Sequence, residues 1–361
     1  MRNYSLKTFA DIHVHMSDIN YDTCKAYLDL LADQGSTDVA LQSLTYRAIC
    51  YNLLVLYWKE NYKKINLSAF GMIHHRPGDI YAGIPYETQA KALLDMGCDG
   101  IKLMWSPDSR KAYGHGIDDE RYEKMFTYLE ENGVPLVIHV NDPEEFWIPR
   151  ELTELEKSRN WGYFTEGYCT KQEIYDETFR MLDRHPKMKV TFAHFFFLSN
   201  FIDEAERVLE TYPAVNFDLT PGWEMFLGFS KDIDAWQKFF IRYQDRILFG
   251  TDCNDIKNFN PQIYQLVREA ISHDKTEFVM PAYKALPIRG LDLPSEVLEK
   301  ICWYNYKKLV PETKKVNVER MLAAAKRLYS DIRDAEDEKI RESAAWTAEL
   351  LAKYGQSERT I

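Results

Sequence analysis

Short, almost continuously apolar runs recur along the chain, starting near Thr8 (TFADIHVH), Asp38 (DVALQSL), Leu67 (LSAFGMI), Asp99 (DGIKLMW), Val134 (VPLVIHV), Lys189 (KVTFAHF), Ala214 (AVNFDLT) and Arg246 (RILFGTD). β-Branched and aromatic residues dominate them, as in parallel strands buried on both faces. Between the runs the apolar positions change to helical spacing, for example at 22–34, 86–97, 119–132 and 201–212. Gly35, Gly97, Gly133 and Pro213 stand where those helices stop. The strand starts are 30, 29, 32, 35, 55, 25 and 32 residues apart. Eight strand–helix units at that beat predict an α/β fold of the (β/α)8 barrel type. An open, doubly wound sheet is the structural alternative.

The 55-residue interval breaks the beat. Residues 141–168 carry Phe146, Trp147, Trp161, Tyr163, Phe164 and Tyr168 ahead of the next helical pattern at 171–184. In a barrel this segment leaves the C-terminal ends of the strands, where such loops build the site. A lid or substrate wall is expected there, with a surface excursion holding its own apolar cluster as the alternative. Residues 1–310 are assigned to the barrel and 311–361 to a C-terminal helical extension. The extension has apolar positions Val318, Leu322, Ala325 and Leu328 at helical spacing. That stripe needs a partner surface, on the barrel or on a second copy of the chain in a homo-oligomer.

Composition narrows the function. The chain has 361 residues, 45% of them hydrophobic, which allows a sizeable core. Its net charge of −11, with no Lys/Arg block, argues against nucleic acid or an anionic membrane as partner. No stretch approaches the ~18 apolar residues of a membrane span. Cys24, Cys50, Cys98, Cys169, Cys253 and Cys302 are scattered without a CxxC pair and read as reduced thiols. Metal-binding residue types begin at His13, which leaves no room for a cleaved leader, so a cytoplasmic protein is expected.

Four of the apolar runs end in the same chemistry: Asp11-Ile-His13-Val-His15, Leu136-Val-Ile-His139, Val190-Thr-Phe-Ala-His194 and Ile247-Leu-Phe-Gly-Thr-Asp252. A His-x-His pair on a strand points both imidazoles to one face, because side chains repeat every second residue. Two His from one strand, a third from another and a carboxylate suit zinc or a similar divalent ion. A His-x-His alone is a weak signal; the four segments in this order are a specific one. A site that shares ligands from the first and last strands needs those strands to be neighbours, which favours the closed barrel over the open sheet.

In order and spacing these segments resemble the amidohydrolase superfamily, especially its amidohydrolase-2 branch, from residue 8 to about 310 on the usual barrel length. That branch holds aminocarboxymuconate-semialdehyde decarboxylase, related aromatic-acid decarboxylases and several hydrolases. The resemblance implies that His13, His15, His139 and Asp252 ligate one divalent ion, with zinc expected. It also places His194 as the group that acts on water or substrate. A divalent ion lowers the pKa of a bound water toward neutrality, and Asp252 can accept the water proton while it coordinates. Lys102 has two readings. In two-metal relatives a carboxylated lysine at this place bridges the ions, so a second ion held by Lys102, His139 and His194 is the alternative. As a free ammonium, Lys102 would contact a substrate carboxylate. His74, Trp105, Asn141, Trp147 and Trp223 follow strands or lie in the long insert and are the pocket candidates. One departure stands out. Decarboxylases of the branch commonly have a Gly-rich stretch after the sixth-strand His, whereas this chain has His194-Phe195-Phe196-Phe197, which predicts a bulkier, more apolar pocket.

The expected function is a metal-dependent hydrolase that activates water to cleave an amide, lactone or ester-like bond of a small-molecule substrate. A non-oxidative decarboxylase or hydratase of an unsaturated or aromatic carboxylic acid is the alternative. A metal-binding barrel without catalysis is a third, disfavoured because all the metal-site positions are filled. Fold alone does not separate the first two.

Overall fold

The computed structural model describes residues 8–222, 224–254, 262–279 and 286–355. Eight strands form one sheet in sequence order: β1 (Phe9–His15), β2 (Ser36–Gln42), β3 (Asn66–Met72), β4 (Gly100–Trp105), β5 (Leu136–Val140), β6 (Val190–Phe192), β7 (Val215–Asp218) and β8 (Ile247–Leu248). Every adjacent pair is parallel. Each strand starts within two residues of the position that the apolar runs predict. Helices alternate with the strands, among them Tyr21–Asp33, Tyr51–Asn61, Tyr86–Met96, Glu120–Glu131 and Lys171–Arg184. The last of these opens with a reciprocal cap between Thr170 and Glu173, which satisfies two otherwise orphaned backbone donors.

The sheet closes into a barrel beyond the end of β8. Ile12 N donates to Phe249 O (3.1 Å), Asp252 N to His13 O (2.9 Å) and His15 N to Cys253 O (2.8 Å). Buried Asp11 fastens the same seam. Its carboxylate accepts from Thr251 Oγ1 (2.6 Å), Tyr264 OH (3.0 Å) and the amide of His13 (3.0 Å). At the opposite mouth, the segment Asn305–Leu309 acts as a plug. Tyr306 packs with Ala10, Ile12, Ala40 and Phe70, and its hydroxyl lies 2.8 Å from Ser68 Oγ. A short antiparallel pair, β9 (Glu277–Val279) and β10 (Pro287–Arg289), lies outside the barrel and was not legible from the pattern of apolar runs.

Gly97 shows how the extension is attached. Its φ of +109° ends the helix Tyr86–Met96, and a Cβ there would lie 2.6 Å from Lys315 O. Only glycine tolerates both conditions. The linker is fixed by Lys314 N to Asp99 Oδ1 (2.7 Å) and Asn317 N to Met96 O (2.9 Å). Two helices follow, Val318–Ile332 and Glu338–Lys353. They pack on each other, and the first also packs on the helices Tyr51–Asn61 and Tyr86–Met96. The buried face of the first helix is Met321, Ala325, Leu328 and Ile332, with Val318 and Leu322 at its edge. Trp346 is buried and stacks on Tyr21, with ring centroids 5.7 Å apart and planes at 17°. Among the described residues no helix is long and apolar enough to cross a membrane.

Trp346→Ala is expected to cost ~3–5 kcal/mol of stability in denaturant titration, the usual range for removing a buried large aromatic. A loss under about 1 kcal/mol, the scale of a surface substitution, would mean that the second helix contributes no packing.

Candidate metal centre

A cavity of about 590 Å³ is lined by His13, His15, Lys102, His139, His194 and Asp252. Five of the six come from the C-terminal ends of β1, β5, β6 and β8, or from just beyond them, and Lys102 stands in the middle of β4. In β1 a register shift between Asp11 and Val14 interrupts strict alternation. Ile12 packs into the barrel interior with Ala10, while His13 and His15 both face the cavity. Irregularities of this kind re-aim side chains beside active sites.

The hydrogen bonds define the tautomers. His13 Nδ1 lies 2.9 Å from Asp218 Oδ2, and His15 Nδ1 lies 2.9 Å from Gln42 O. Both partners can only accept, so both Nδ1 atoms carry the proton. The two Nε2 lone pairs therefore face each other, 3.1 Å apart. Asp252 Oδ1 lies 3.8 Å from the first and 3.4 Å from the second. All three atoms fall within 4.8 Å of one another. Electron-pair donors this close repel unless a cation lies among them. Two nitrogens held by one zinc at ~2.0–2.1 Å with a near-tetrahedral angle stand roughly 3.3 Å apart. The residues therefore fit a divalent ion. Burial holds His13, His15 and His194 well below the usual histidine range, which keeps them in the neutral form that ligates metal. Buried Lys102 brings its ammonium within 3.2 Å of His13 Nε2. Burial pushes Lys102 down to about 8, against the opposing pull of Asp252 and Asp218.

His139 reaches the same cavity but stands outside that triad. Its Nε2 is buried without a hydrogen-bond partner, 3.5 Å from Asp142 Oδ1, and its ring meets His194 edge-on at 4.8 Å. The ligand set expected from the sequence is thus three converging groups and one at their side. His194 donates its backbone N–H to Asp218 Oδ1 (2.9 Å), and its Nδ1 faces Thr220 O (3.2 Å), which leaves Nε2 as the free lone pair. Asp218, buried at the end of β7, therefore orients two of the histidines. The sequence reading missed it, although it ends an apolar run as the other site residues do.

Residues 194–197 form a left-handed turn, with φ of 55°, 55°, 56° and 53°. Glycine adopts this conformation freely, while other residues are strained in it by roughly 1–2 kcal/mol each. The three phenylalanines offset the strain by burial. Phe195 sits between Phe217 and Phe229, each at 4.9 Å, and Phe196 stacks on Phe192 at 3.9 Å. Phe197 lines the cavity and lies 5.1 Å from the His194 ring and 5.4 Å from that of His139.

The pocket candidates fare differently. Trp105 is fully buried against Tyr113 and Tyr122, behind the cavity wall. Asn141 is buried with its Nδ2 on Lys171 O (3.0 Å), and the Trp147 indole N–H is bound to Cys169 O (2.9 Å). His74 lines a different cavity. None of these four lines the metal-site cavity: strand-end position does not say which way a side chain turns. Trp223 lies outside the described residues. The long insert instead supplies Phe146, Trp161 and Tyr163 to the wall. Arg47, Arg76 and Arg159 also line it. Arg47 reaches Ser17 Oγ (2.6 Å), and Arg76 lies over the Tyr46 ring at 3.9 Å. The sequence reading gave Arg47 and Arg159 no role. Two acids of the wall are already engaged, Asp108 by Tyr168 OH (2.6 Å) and Asp142 by Tyr163 OH (2.8 Å).

A closed parallel barrel with three converging His and Asp donors at its C-terminal mouth defines a barrel of the metal-site class. The chain belongs to the amidohydrolase family, amidohydrolase-2 branch, whose family model matches residues 11–311. Families of this kind are generally metal-dependent, and they include hydrolases, decarboxylases and hydratases. Among solved structures, the chain is similar to 4-oxalomesaconate hydratase from Rhodopseudomonas palustris, with 14% identity and a TM-score of 0.52, over 90% of this chain and 99% of that one. It is also similar to a TIM-barrel protein from Bordetella bronchiseptica, again at 14% identity and a TM-score of 0.52, over 84% of this chain and 98% of that one. At these identities the likeness is one of fold. No curated protein matches the chain in sequence.

Stability should fall as the pH drops below about 6.5. A buried histidine with a depressed folded pKa stays neutral while its unfolded counterpart takes up a proton. Each such ring then costs ~1.4 kcal/mol per pH unit, until its folded pKa is reached. For His75, buried behind the site, that pKa is about 3, with burial the main cause. Melting curves of metal-free protein at stepped pH check the sign; a Tm that is flat from pH 7.5 to 5 would contradict it.

Proposed function

We propose that the chain is a metal-dependent hydrolase that cleaves an amide, lactone or ester-like bond of a small, carboxylate-bearing molecule. The observation that supports it most is the convergence of His13 Nε2, His15 Nε2 and Asp252 Oδ1 within 4.8 Å in the cavity. These three are the ligand core in this reading, and His139, with its unpartnered Nε2, is the fourth ligand. One ion, zinc first, is this reading; Lys102, whose Nζ lies 3.2 Å from His13 Nε2, would bridge a second ion only as a carboxylated side chain. When bound, such an ion polarises a carbonyl and brings the pKa of a water toward neutrality.

The chain's own residues have separate tasks. Asp218 holds His13 with its Nε2 lone pair turned to the cavity, the usual task of a carboxylate behind a ligating imidazole. His194, neutral and fixed by Thr220 O, takes or returns a proton at Nε2, or orients the carbonyl under attack. Asp252 has a second carboxylate oxygen that can receive the proton of the water. Arg47, Arg76 and Arg159 recognise the substrate carboxylate, for which guanidinium forks are the best geometric match. Phe146, Trp161 and Tyr163 wall off water.

The three guanidinium groups also favour a second reading, decarboxylation or hydration of an unsaturated or aromatic carboxylic acid. A panel of carboxylated lactones, amides and unsaturated acids, offered to metal-loaded protein, separates the two. Proton release from a lactone, or a free amine from an amide, without carbon dioxide supports hydrolysis; carbon dioxide release, or loss of a conjugated chromophore without bond cleavage, supports the second reading. Turnover that is unchanged after chelation would reject both.

His194→Ala should keep the metal and lose turnover by about 10²–10⁴, the typical worth of a general acid–base group. Loss of the metal on this substitution, read by elemental analysis, would make His194 a ligand. Asp218→Asn should weaken metal binding ~10–100-fold in competition with a chelator. Unchanged affinity would remove its orienting task.

A further inference from the structure

A second cavity, of about 220 Å³, lies between the barrel and the helix Val318–Ile332. Its wall is mostly apolar and includes Leu53, Met72, Leu93, Ala324 and Leu328. The polar side chains Asn52 and Gln89 that border it are committed to backbone partners. Asn52 pairs with Met72 N and O (both 2.9 Å), and Gln89 accepts from His74 N (2.7 Å) and donates to His74 O (3.1 Å). The His74 imidazole is different. His74 is 7% exposed and lines this cavity, yet its ring nitrogens make no hydrogen bond among the described residues. Its close ring neighbour is Tyr81, edge-on at 5.2 Å. An imidazole that makes no such hydrogen bond and borders this space has a donor and an acceptor to offer an occupant.

The mouth of the cavity has its own fastening. Tyr81 OH donates to Asp331 Oδ2 (2.8 Å), and the Arg327 guanidinium lies 5.3 Å from the Tyr81 ring centre. A loop of the barrel is thereby strapped to the C-terminal extension across the opening. Arg327 is also 3.7 Å from Asp331, so the rim offers a balanced pair rather than a free charge. The size is below the ~300 Å³ at which ordinary ligand pockets begin, which limits an occupant to one or two fused rings.

We propose that this cavity binds a small, planar, uncharged molecule with one hydrogen-bonding group, of the class of indoles and phenols, and that this group meets the His74 imidazole. The Tyr81 and His74 rings, already edge-on to each other, then border one side of the ligand, and the apolar wall takes its body. Burial lowers the His74 pKa below the usual histidine range, so near neutral pH the ring offers one acceptor and one donor, and either complement on the ligand can be met.

Indole is the probe, with the full-length chain, saturation-transfer NMR and thermal melting as readouts. The wild type should bind saturably, with a Kd below about 1 mM and a raised Tm. Ala324→Phe, which fills the cavity from the helix, should abolish the binding and leave the Tm of the free protein unchanged or higher. His74→Phe keeps the ring and removes the hydrogen bond, and should weaken binding several-fold, up to ~10-fold. Absence of saturable binding to the wild type overturns the proposal, as does affinity unchanged in both variants, since the probe would then sit elsewhere. Should Ala324→Phe fail to fold, His74→Phe decides: unchanged affinity rejects the site, and weakened affinity with an intact melting curve supports it.

Discussion

The seam between β1 and the segment after β8 is the constraint on which the rest depends. Three backbone hydrogen bonds join Ile12, His13 and His15 to Phe249, Asp252 and Cys253. The residues that close the barrel are therefore the residues that carry the donors, or their immediate neighbours. Asp252 N bonds to the carbonyl of His13, so the side chains of these two residues start from adjoining backbone. Convergence of the donors is then a consequence of closure and needs no further device. Asp11 secures the same seam from behind, with Thr251 and Tyr264 as its partners. Burial raises its pKa to about 7, a sign of how little water reaches this joint.

Burial also decides what the centre can do. Three imidazoles held neutral by desolvation would be an expensive arrangement without compensation, because each hides polar nitrogens from water. The compensation is asymmetric. The Nδ1 atoms of His13, His15 and His194 have partners in Asp218, Gln42 and Thr220, while the Nε2 side is left for chemistry. Asp218 matters most here, since one carboxylate holds both the His13 ring and the backbone of His194. A change at Asp218 would disturb a candidate ligand and the candidate acid–base group together. Two of the three imidazoles thus owe their placement to β7, which adds no donor to the converging three.

Much of the fold was legible because a buried parallel barrel writes itself as a beat of apolar runs, and each run lies within two residues of a strand. The strand-end His and Asp were legible for the same reason: a polar residue that closes an apolar run stands where the strand leaves the core and the barrel opens to its site. Side-chain direction was not. Trp105 ends its strand and His74 lies just past one, much as His139 stands near the end of its own, yet one is sealed among aromatic rings and the other turns to a second cavity. Whether a loop residue turns inward depends on contacts tens of residues away, which periodicity does not encode. Arg47 and Arg159 escaped notice because an isolated arginine in a loop reads as solvated, and only the folded cavity wall brings it to the site. The phase of the C-terminal stripe slipped by one position, Met321 replacing Leu322 as the buried residue, because adjacent apolar residues on a helix leave the buried one undecided.

The left-handed turn after β6 joins sequence, strain and function. A glycine-rich stretch there would adopt φ near 55° without penalty, and four consecutive non-glycine residues adopt it here. At roughly 1–2 kcal/mol per strained residue, the backbone cost is comparable to burying two or three large apolar side chains at ~1.5–3 kcal/mol each. Phe195 and Phe196 supply that burial on the outer side of the sheet, among Phe217, Phe229 and Phe192. Phe197 points the other way, beside His194 and His139. The turn is therefore anchored by two of its rings and uses the third to restrict both imidazoles. Glycines at these positions would relieve the strain and at the same time remove the anchors and the ring that packs against His194. The chain thus exchanges backbone ease for a fixed imidazole, and the apolar surface gained next to the converging donors narrows the cavity.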